Sequence, residues 1–370
     1  MSRPNSPKVI AMTAAQVAEQ TFAQRIQNEV DRAIQRNIKG LEYLASPAPA
    51  VGLTPKDIIY RRGTLNLYHY RPLCSDVYRV PLLLVMATTN KAYVFDLAPG
   101  QSLIEFLLRR GYDVFVIDWD PPRPDEKGLR LEDYVLDFIP NCILRVQERS
   151  DTEDVTLIGY CMGGVLAALY AALHPEGPVK NLGFFTTPIN WSQMKLMRNW
   201  TDRRYFDVDR LVDTLGVIPA DVVSAGFDMQ RPTQRVAGTI RLWDNMWNDE
   251  FVKSYRMFDR WGNDTLPLAG EYFRQIIKEL LWDNRLMNGG LTIGGKAVDL
   301  SNIKVPVLHV VAEHDHLIPY DCAKELIAKV GSDSKEEVML KGGHVSLVAG
   351  PNAVKRMWPK LDQWLGARCT

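Results

Sequence analysis

Val155-Thr156-Leu157-Ile158-Gly159-Tyr160-Cys161-Met162-Gly163-Gly164-Val165-Leu166-Ala167-Ala168-Leu169 changes character in its middle. Before Gly159 it is a short apolar run bounded by turn residues, as a buried strand requires. After Gly163 it is rich in Ala and Leu, as a helix requires. Between the two lies Gly-x-Cys-x-Gly, the pattern of a nucleophile raised on a tight strand-to-helix turn. Side chains at the flanking positions would clash in such a turn, which accounts for both glycines. The N-terminus of the following helix points its positive dipole end at Cys161, favouring a thiolate and an oxyanion beside it. The backbone N–H of Met162 is the expected first oxyanion donor. A glycine-rich turn holding a buried cysteine would use the same five residues, so the pattern has to be judged in context.

Working outward, strands and helices alternate. Pro81 to Met86, Tyr112 to Trp119, Val179 to Thr186, Val305 to Ala312 and Glu337 to Leu340 read as strands. Leu65 to Tyr70 alternates and reads as an exposed early strand. Ser102 to Arg109, Leu131 to Val146, Gly163 to His174, Cys322 to Val330 and Ala353 to Leu365 read as helices. This predicts an α/β fold, a mostly parallel sheet with helices on both faces. Beyond Cys161, Asp315 directly follows one predicted strand and His344 the last one. Nucleophile, acid and histidine in that order, each after a strand, are the arrangement of an α/β-hydrolase fold with a Cys161–Asp315–His344 triad. Glu313 is a competing acid, less well placed at the turn. His316 flanks Asp315 and could enter the site, as could His314. His69, His174 and His309 read as structural.

The alternation stops at residue 188 and resumes near 300. The interval carries six of the nine Trp and many charges, and reads as an inserted, mainly helical cap. The expected organisation is an N-terminal helical segment and linker over 1–50, a catalytic core over 51–187 and 301–370, and a cap over 188–300. In the first segment Phe22, Ile26, Val30, Ile34 and Ile38 recur every four residues, either as a helix packed on its own core or as a docking helix for a partner. Ala45-Ser46-Pro47-Ala48-Pro49-Ala50 breaks it.

The chain has 370 residues with 44 Lys+Arg against 44 Asp+Glu, and a 46% hydrophobic composition. This excludes long disorder and argues against a broad nucleic-acid surface. No apolar run approaches the roughly 20 residues of a membrane span. Gln16, Glu19 and Gln20 interrupt any signal-peptide core, so a cytoplasmic location is expected. Five scattered cysteines with no CxxC pair indicate neither a disulfide framework nor a metal site, and no cofactor is implied. Cys in place of Ser has its own meaning. An acyl-Cys is a thioester and keeps most of the acyl donor's free energy, which favours acyl transfer from another thioester over hydrolysis.

These residues resemble the polyhydroxyalkanoate synthases, enzymes that polymerise 3-hydroxyacyl-CoA into storage polyester, in their short two-subunit type. The resemblance covers the chain from about residue 60 onward. It rests on Gly159 to Gly164, on Asn90-Lys91-Ala92-Tyr93-Val94-Phe95-Asp96-Leu97 with Ser102-Leu103, and on Asp118-Trp119. It rests also on Asn284-Arg285-Leu286, Gly289, Gly294-Gly295-Lys296-Ala297-Val298-Asp299-Leu300, Asp315-His316-Leu317-Ile318-Pro319 and Gly343-His344. It implies Cys161 as the acylated nucleophile, His344 as general base, and Asp315 as its partner or as an aid to the incoming hydroxyl. It implies the N–H of Thr89 as second oxyanion donor, with Asn90 and His316 as substrate contacts. The implied partners are (R)-3-hydroxyacyl-CoA, the growing polyester, a second copy in a homodimer, and a second, non-catalytic subunit at the granule surface. Arg203 or Arg204 would help to hold the CoA phosphates. Asp120, Thr88-Thr89 and Gly342 depart from the family pattern. The alternative is a Cys-dependent hydrolase of the dienelactone hydrolase or acyl-CoA thioesterase type.

Overall fold

A computed structural model describes residues 14–370, with side chains from Phe22 onward. The part of the expected N-terminal helix before Ala14 lies outside the described residues. Contacts divide the chain into two compact units. One joins the N-terminal region through Pro49 to Thr233–Arg256. The other comprises Ala50–Pro232 and Met257–Thr370.

The second unit is built on eight strands: β1 (Lys56–Arg62), β2 (Leu65–Tyr70), β3 (Leu82–Val85), β4 (Val114–Trp119), β5 (Val155–Tyr160), β6 (Val179–Phe185), β7 (Val307–Ala312) and β8 (Lys335–Leu340). Their spatial order is β1-β2-β4-β3-β5-β6-β7-β8. β1 and β2 are antiparallel to their neighbours, and every pair from β4 to β8 is parallel. Strands β3, β4 and β5 are buried along their whole length. That is why they read as unbroken apolar runs, since a parallel strand is covered on both faces. β4 lies on one side of β3 and β5 on the other, which makes their carboxyl ends the switch point at which open α/β sheets place ligands.

Two strands correct the sequence reading. β2 is not exposed: every residue but Tyr68 is buried. Its polar positions are matched inside the fold. His69 Nε2 meets Asp113 Oδ1 at 2.7 Å, and Asn66 bonds both Arg61 and Asp120. The edge strand β1 carries no apolar alternation that sequence could signal. Its Lys and Arg residues suit an edge that must not recruit another strand.

The helix Ala14–Ala45 (α1) belongs to the first unit. Its stripe is exposed, from 47% at Val30 to 63% at Phe22, so it is not packed on a core. Within the same unit, Lys39 pairs with Asp249, and Gly40 lies against the ring of Trp243. None of the described helices is long and apolar enough to cross a membrane.

Candidate active site

β5 runs into the helix Met162–Leu173 (α2) through the single residue Cys161, held at φ 54° and ψ −120°. A positive φ is rare for a residue with a side chain and persists only when its surroundings enforce it. They do here. Cys161 N donates to Phe185 O at 2.9 Å, and its own carbonyl accepts from Gly164 N at 3.0 Å. The turn leaves no room beside it. A Cβ on Gly163 would strike the carbonyl oxygen of Val85, and one on Gly159 the backbone of Gly163 and Gly164. The requirement for glycine is therefore one of close approach. Gly163→Ala is expected to destabilise the protein by about 1–3 kcal/mol. Thermal unfolding tests this, and an unchanged midpoint would mean that α2 can shift away.

Asp315, after β7, and His344, after β8, converge on this turn. His344 Nδ1 lies 2.7 Å from Asp315 Oδ2, and both residues are buried. The carboxylate is fully used. Oδ1 accepts from the N–H groups of Leu317 (2.9 Å) and Ile318 (2.8 Å), and Oδ2 also accepts from Thr186 Oγ1 at 2.5 Å. Burial alone would raise the Asp315 pKa, but His344 and these donors hold it below the ordinary carboxylate value. Burial works against a charge on His344, yet Asp315 and Cys161 together push its pKa up to about 10. The ring thus interacts with Asp315 on one side and Cys161 on the other. Glu313, the competing acid, is exposed.

Sequence reasoning missed three contributors. Thr186, at φ 47°, follows β6 and bonds Asp315. Tyr160 donates to the His344 carbonyl at 3.3 Å, with its ring 5.0 Å from the imidazole. Tyr272 bonds the Thr88 hydroxyl at 3.1 Å. Tyr160 stood inside the glycine box and was readable as adjacent to the nucleophile. Thr186 had no local signal.

Thr89 and Asn90 follow β3, whose last residues abut the start of α2 at Gly163. The Thr89 hydroxyl donates to Asn90 Oδ1 at 3.1 Å. His316 is half-buried, and burial and Arg231 push its pKa below the ordinary histidine value. His69, His174 and His309 each bond elsewhere: to Asp113, to the Tyr170 carbonyl and to Glu337. Arg203 pairs with Asp283 and Arg204 with Asp202, so each cation already has a carboxylate. Of the departures, Asp120 has a structural place. It accepts from Asn66 at 2.7 Å and from Lys91 at 3.2 Å.

Comparison with known proteins bears on the fold and the family. The profile of the alpha/beta hydrolase fold matches residues 86–351, and that of the poly-beta-hydroxybutyrate polymerase (PhaC) N-terminus matches residues 48–107. The poly(3-hydroxyalkanoate) polymerase subunit PhaC of Allochromatium vinosum is 34% identical over 335 residues, 89% of this chain and 94% of that one. The chain belongs to the PhaC family. The PhaC subunit of Synechocystis is 31% identical, over 90% of this chain and 89% of its own. That of Haloferax mediterranei is 34% identical over 86% of this chain, which spans only 65% of that PhaC subunit's length. Solved structures agree on the fold alone. Epoxide hydrolase A from Mycobacterium thermoresistibile gives a TM-score of 0.51 at 14% identity, over 84% of this PhaC-family chain and 98% of that one. DcsB, solved with a substrate analogue, gives 0.54 at 15%, over 85% and 99%.

Proposed function

We propose that this PhaC-family chain polymerises (R)-3-hydroxyacyl-CoA to polyester, releasing CoA, through an acyl thioester on Cys161. The observation that carries this reading is Cys161 on a strained elbow facing a buried His344–Asp315 pair, in a chain of this family. His344 takes the thiol proton, and the sulfur attacks the thioester carbonyl. The C–S bond to CoA breaks, and the proton passes from His344 to the leaving thiolate. The hydroxyl of the next unit then attacks the acyl-Cys161 carbonyl as His344 accepts its proton. An ester C–O bond forms, the C–S bond to Cys161 breaks, and the thiol is restored with the proton from His344. The N–H groups of Met162 and Thr89 receive the oxyanion in both steps. Asn90 and His316 line the acyl path, and the parts of the expected cap that belong to the same unit as Cys161, residues 188–232 and 257–300, keep water from the thioester.

The finer features belong to the same reading. The chain works in the cytoplasm at the polyester granule surface, as a homodimer with a second, non-catalytic subunit. The exposed stripe of α1 is where that subunit docks. Replacing Ile26 and Ile34 by Asp is expected to abolish the complex, as read by light scattering after co-expression. An intact complex would move the docking site elsewhere.

Intact mass spectrometry after mixing with (R)-3-hydroxybutyryl-CoA tests the reaction. A ladder of added hydroxybutyryl units is expected. Free hydroxy acid with no ladder would replace this reading with a hydrolase.

A further inference from the structure

Two patches singled out in the sequence, Asn90-Lys91 and Asp118-Trp119, meet at the end of the sheet beside the elbow. Lys91 Nζ lies 2.7 Å from Asp118 Oδ2 and 3.2 Å from Asp120 Oδ1, and donates to the Trp119 carbonyl at 2.5 Å. The second oxygen of Asp118 accepts from Ala92 N at 2.7 Å. Trp119 Nε1 donates to Met86 O at 2.9 Å, at the point where β3 ends. The end of β4 therefore grips both ends of the segment Met86–Ala92.

The other side of that segment is held by residues 261–272. Trp261 Nε1 donates to Lys91 O at 2.8 Å, Leu266 N donates to Thr89 O at 2.7 Å, and Asn90 bridges Thr265 in antiparallel fashion. Thr88 bonds Tyr272. Among the described residues, no acceptor takes the N–H of Thr89, although its carbonyl and hydroxyl are both engaged. A loop this restrained, with one N–H left unused beside a nucleophile, is a preorganised donor.

We infer that Lys91, through its ion pair with Asp118, is a positioning residue that fixes the Thr89 N–H for the oxyanion of acyl transfer. This rests on the reading of Thr89 as an oxyanion donor. Burial of the pair is what makes it effective. Asp118 is almost wholly enclosed and Lys91 mostly so, and removing one partner leaves the other charge uncompensated. Burial disfavours the Lys91 ammonium, but Asp118 and Asp120 outweigh it and hold the pKa above the ordinary lysine value. Burial likewise raises the Asp118 pKa above the ordinary carboxylate value, against the pull of Lys91 and the Ala92 N–H.

The test separates chemistry that builds an oxyanion from chemistry that does not. Full-length wild type, Lys91→Arg, Lys91→Met and the double variant Lys91→Met/Asp118→Asn are each mixed with (R)-3-hydroxybutyryl-CoA, and the burst of CoA is timed. In parallel, Cys161 is alkylated with iodoacetamide, a displacement at tetrahedral carbon with no oxyanion. The double variant removes both charges together and guards against simple unfolding. Lys91→Met and the double variant are expected to slow the burst about 10²-fold, with alkylation changed less than about threefold and Lys91→Arg largely restored. A wild-type burst with an unchanged burst in the double variant overturns the inference alone. Equal losses in burst and alkylation also overturn it, because Lys91 would then act on the whole site. No wild-type burst overturns the oxyanion reading and the inference with it.

Discussion

Cys161→Ala is expected to abolish covalent loading and chain growth altogether. Mixed with (R)-3-hydroxybutyryl-CoA, the variant should keep its unmodified mass while wild type gains successive units. Removing the nucleophile of a triad that acts as a unit costs about 10⁶-fold in turnover. Alanine carries the same Cβ, so the elbow's positive φ is no more strained than with cysteine. The loss would be chemical, and thermal unfolding should show a midpoint close to wild type. Cys161→Ser makes a sharper companion. It restores a nucleophile, but its acyl product is an oxygen ester without the free energy of a thioester. A single acyl group should therefore accumulate on the serine variant while elongation stalls. Polymer formed by Cys161→Ala would remove Cys161 from the reaction.

What could be read in the sequence follows from how local each feature is. The elbow was legible because a strand, a turn and a helix within fifteen residues each leave a distinct pattern, and because Gly159 and Gly163 are demanded by backbone contact. Asp315 and His344 were legible because parallel strands deliver their following residues to one edge of the sheet. β2 was misread because alternation suggests one wet face. Its polar side chains instead found Asp113, Asp120 and Arg61, from distant parts of the chain or across the hairpin. Thr186 was invisible because its meaning depends on a carboxylate 129 positions away. For α1 the four-residue period gave the helix, but whether such a face is covered depends on what else is present, which periodicity does not encode.

The site also shows why a strained turn is tolerated. The conformation of Cys161 is enforced by Phe185 O and by the carbonyl contacts of α2 against β3, all in the most deeply buried part of the sheet. The cost is local and the support is global. In the proposed site, Cys161, Thr186, Asp315 and His344 bring side chains from four strand ends, and the proposed oxyanion donors Met162 and Thr89 bring only backbone. Side-chain patterns could therefore locate the donors only through their neighbours.

Asp315→Asn is expected to lower the acylation rate about 10⁴-fold while leaving the protein folded. The reason lies in the four bonds the carboxylate accepts. If the amide nitrogen replaces Oδ2, it faces His344 Nδ1, which must then accept. The ring proton moves to Nε2, toward the nucleophile, and the base is lost. If the amide is turned round, its nitrogen faces the N–H groups of Leu317 and Ile318, which lose their acceptor. Neither orientation satisfies every partner. Stability should change with pH in a defined way. The Asp315 pKa is depressed, so its contribution is present above the ordinary 3.8 and is lost as pH falls through the folded value. The His344 pKa is raised from 6.5 to about 10, so its contribution is complete below 6.5 and is lost as pH rises through about 10. The gap in unfolding free energy between wild type and Asp315→Asn should therefore be widest near pH 4 to 6.5 and should narrow as pH rises through about 10, where the carboxylate keeps only its bonds from Thr186, Leu317 and Ile318. Denaturant unfolding at a series of pH values measures it. A gap that is flat across this range, together with an undiminished acylation rate, would take Asp315 out of the triad.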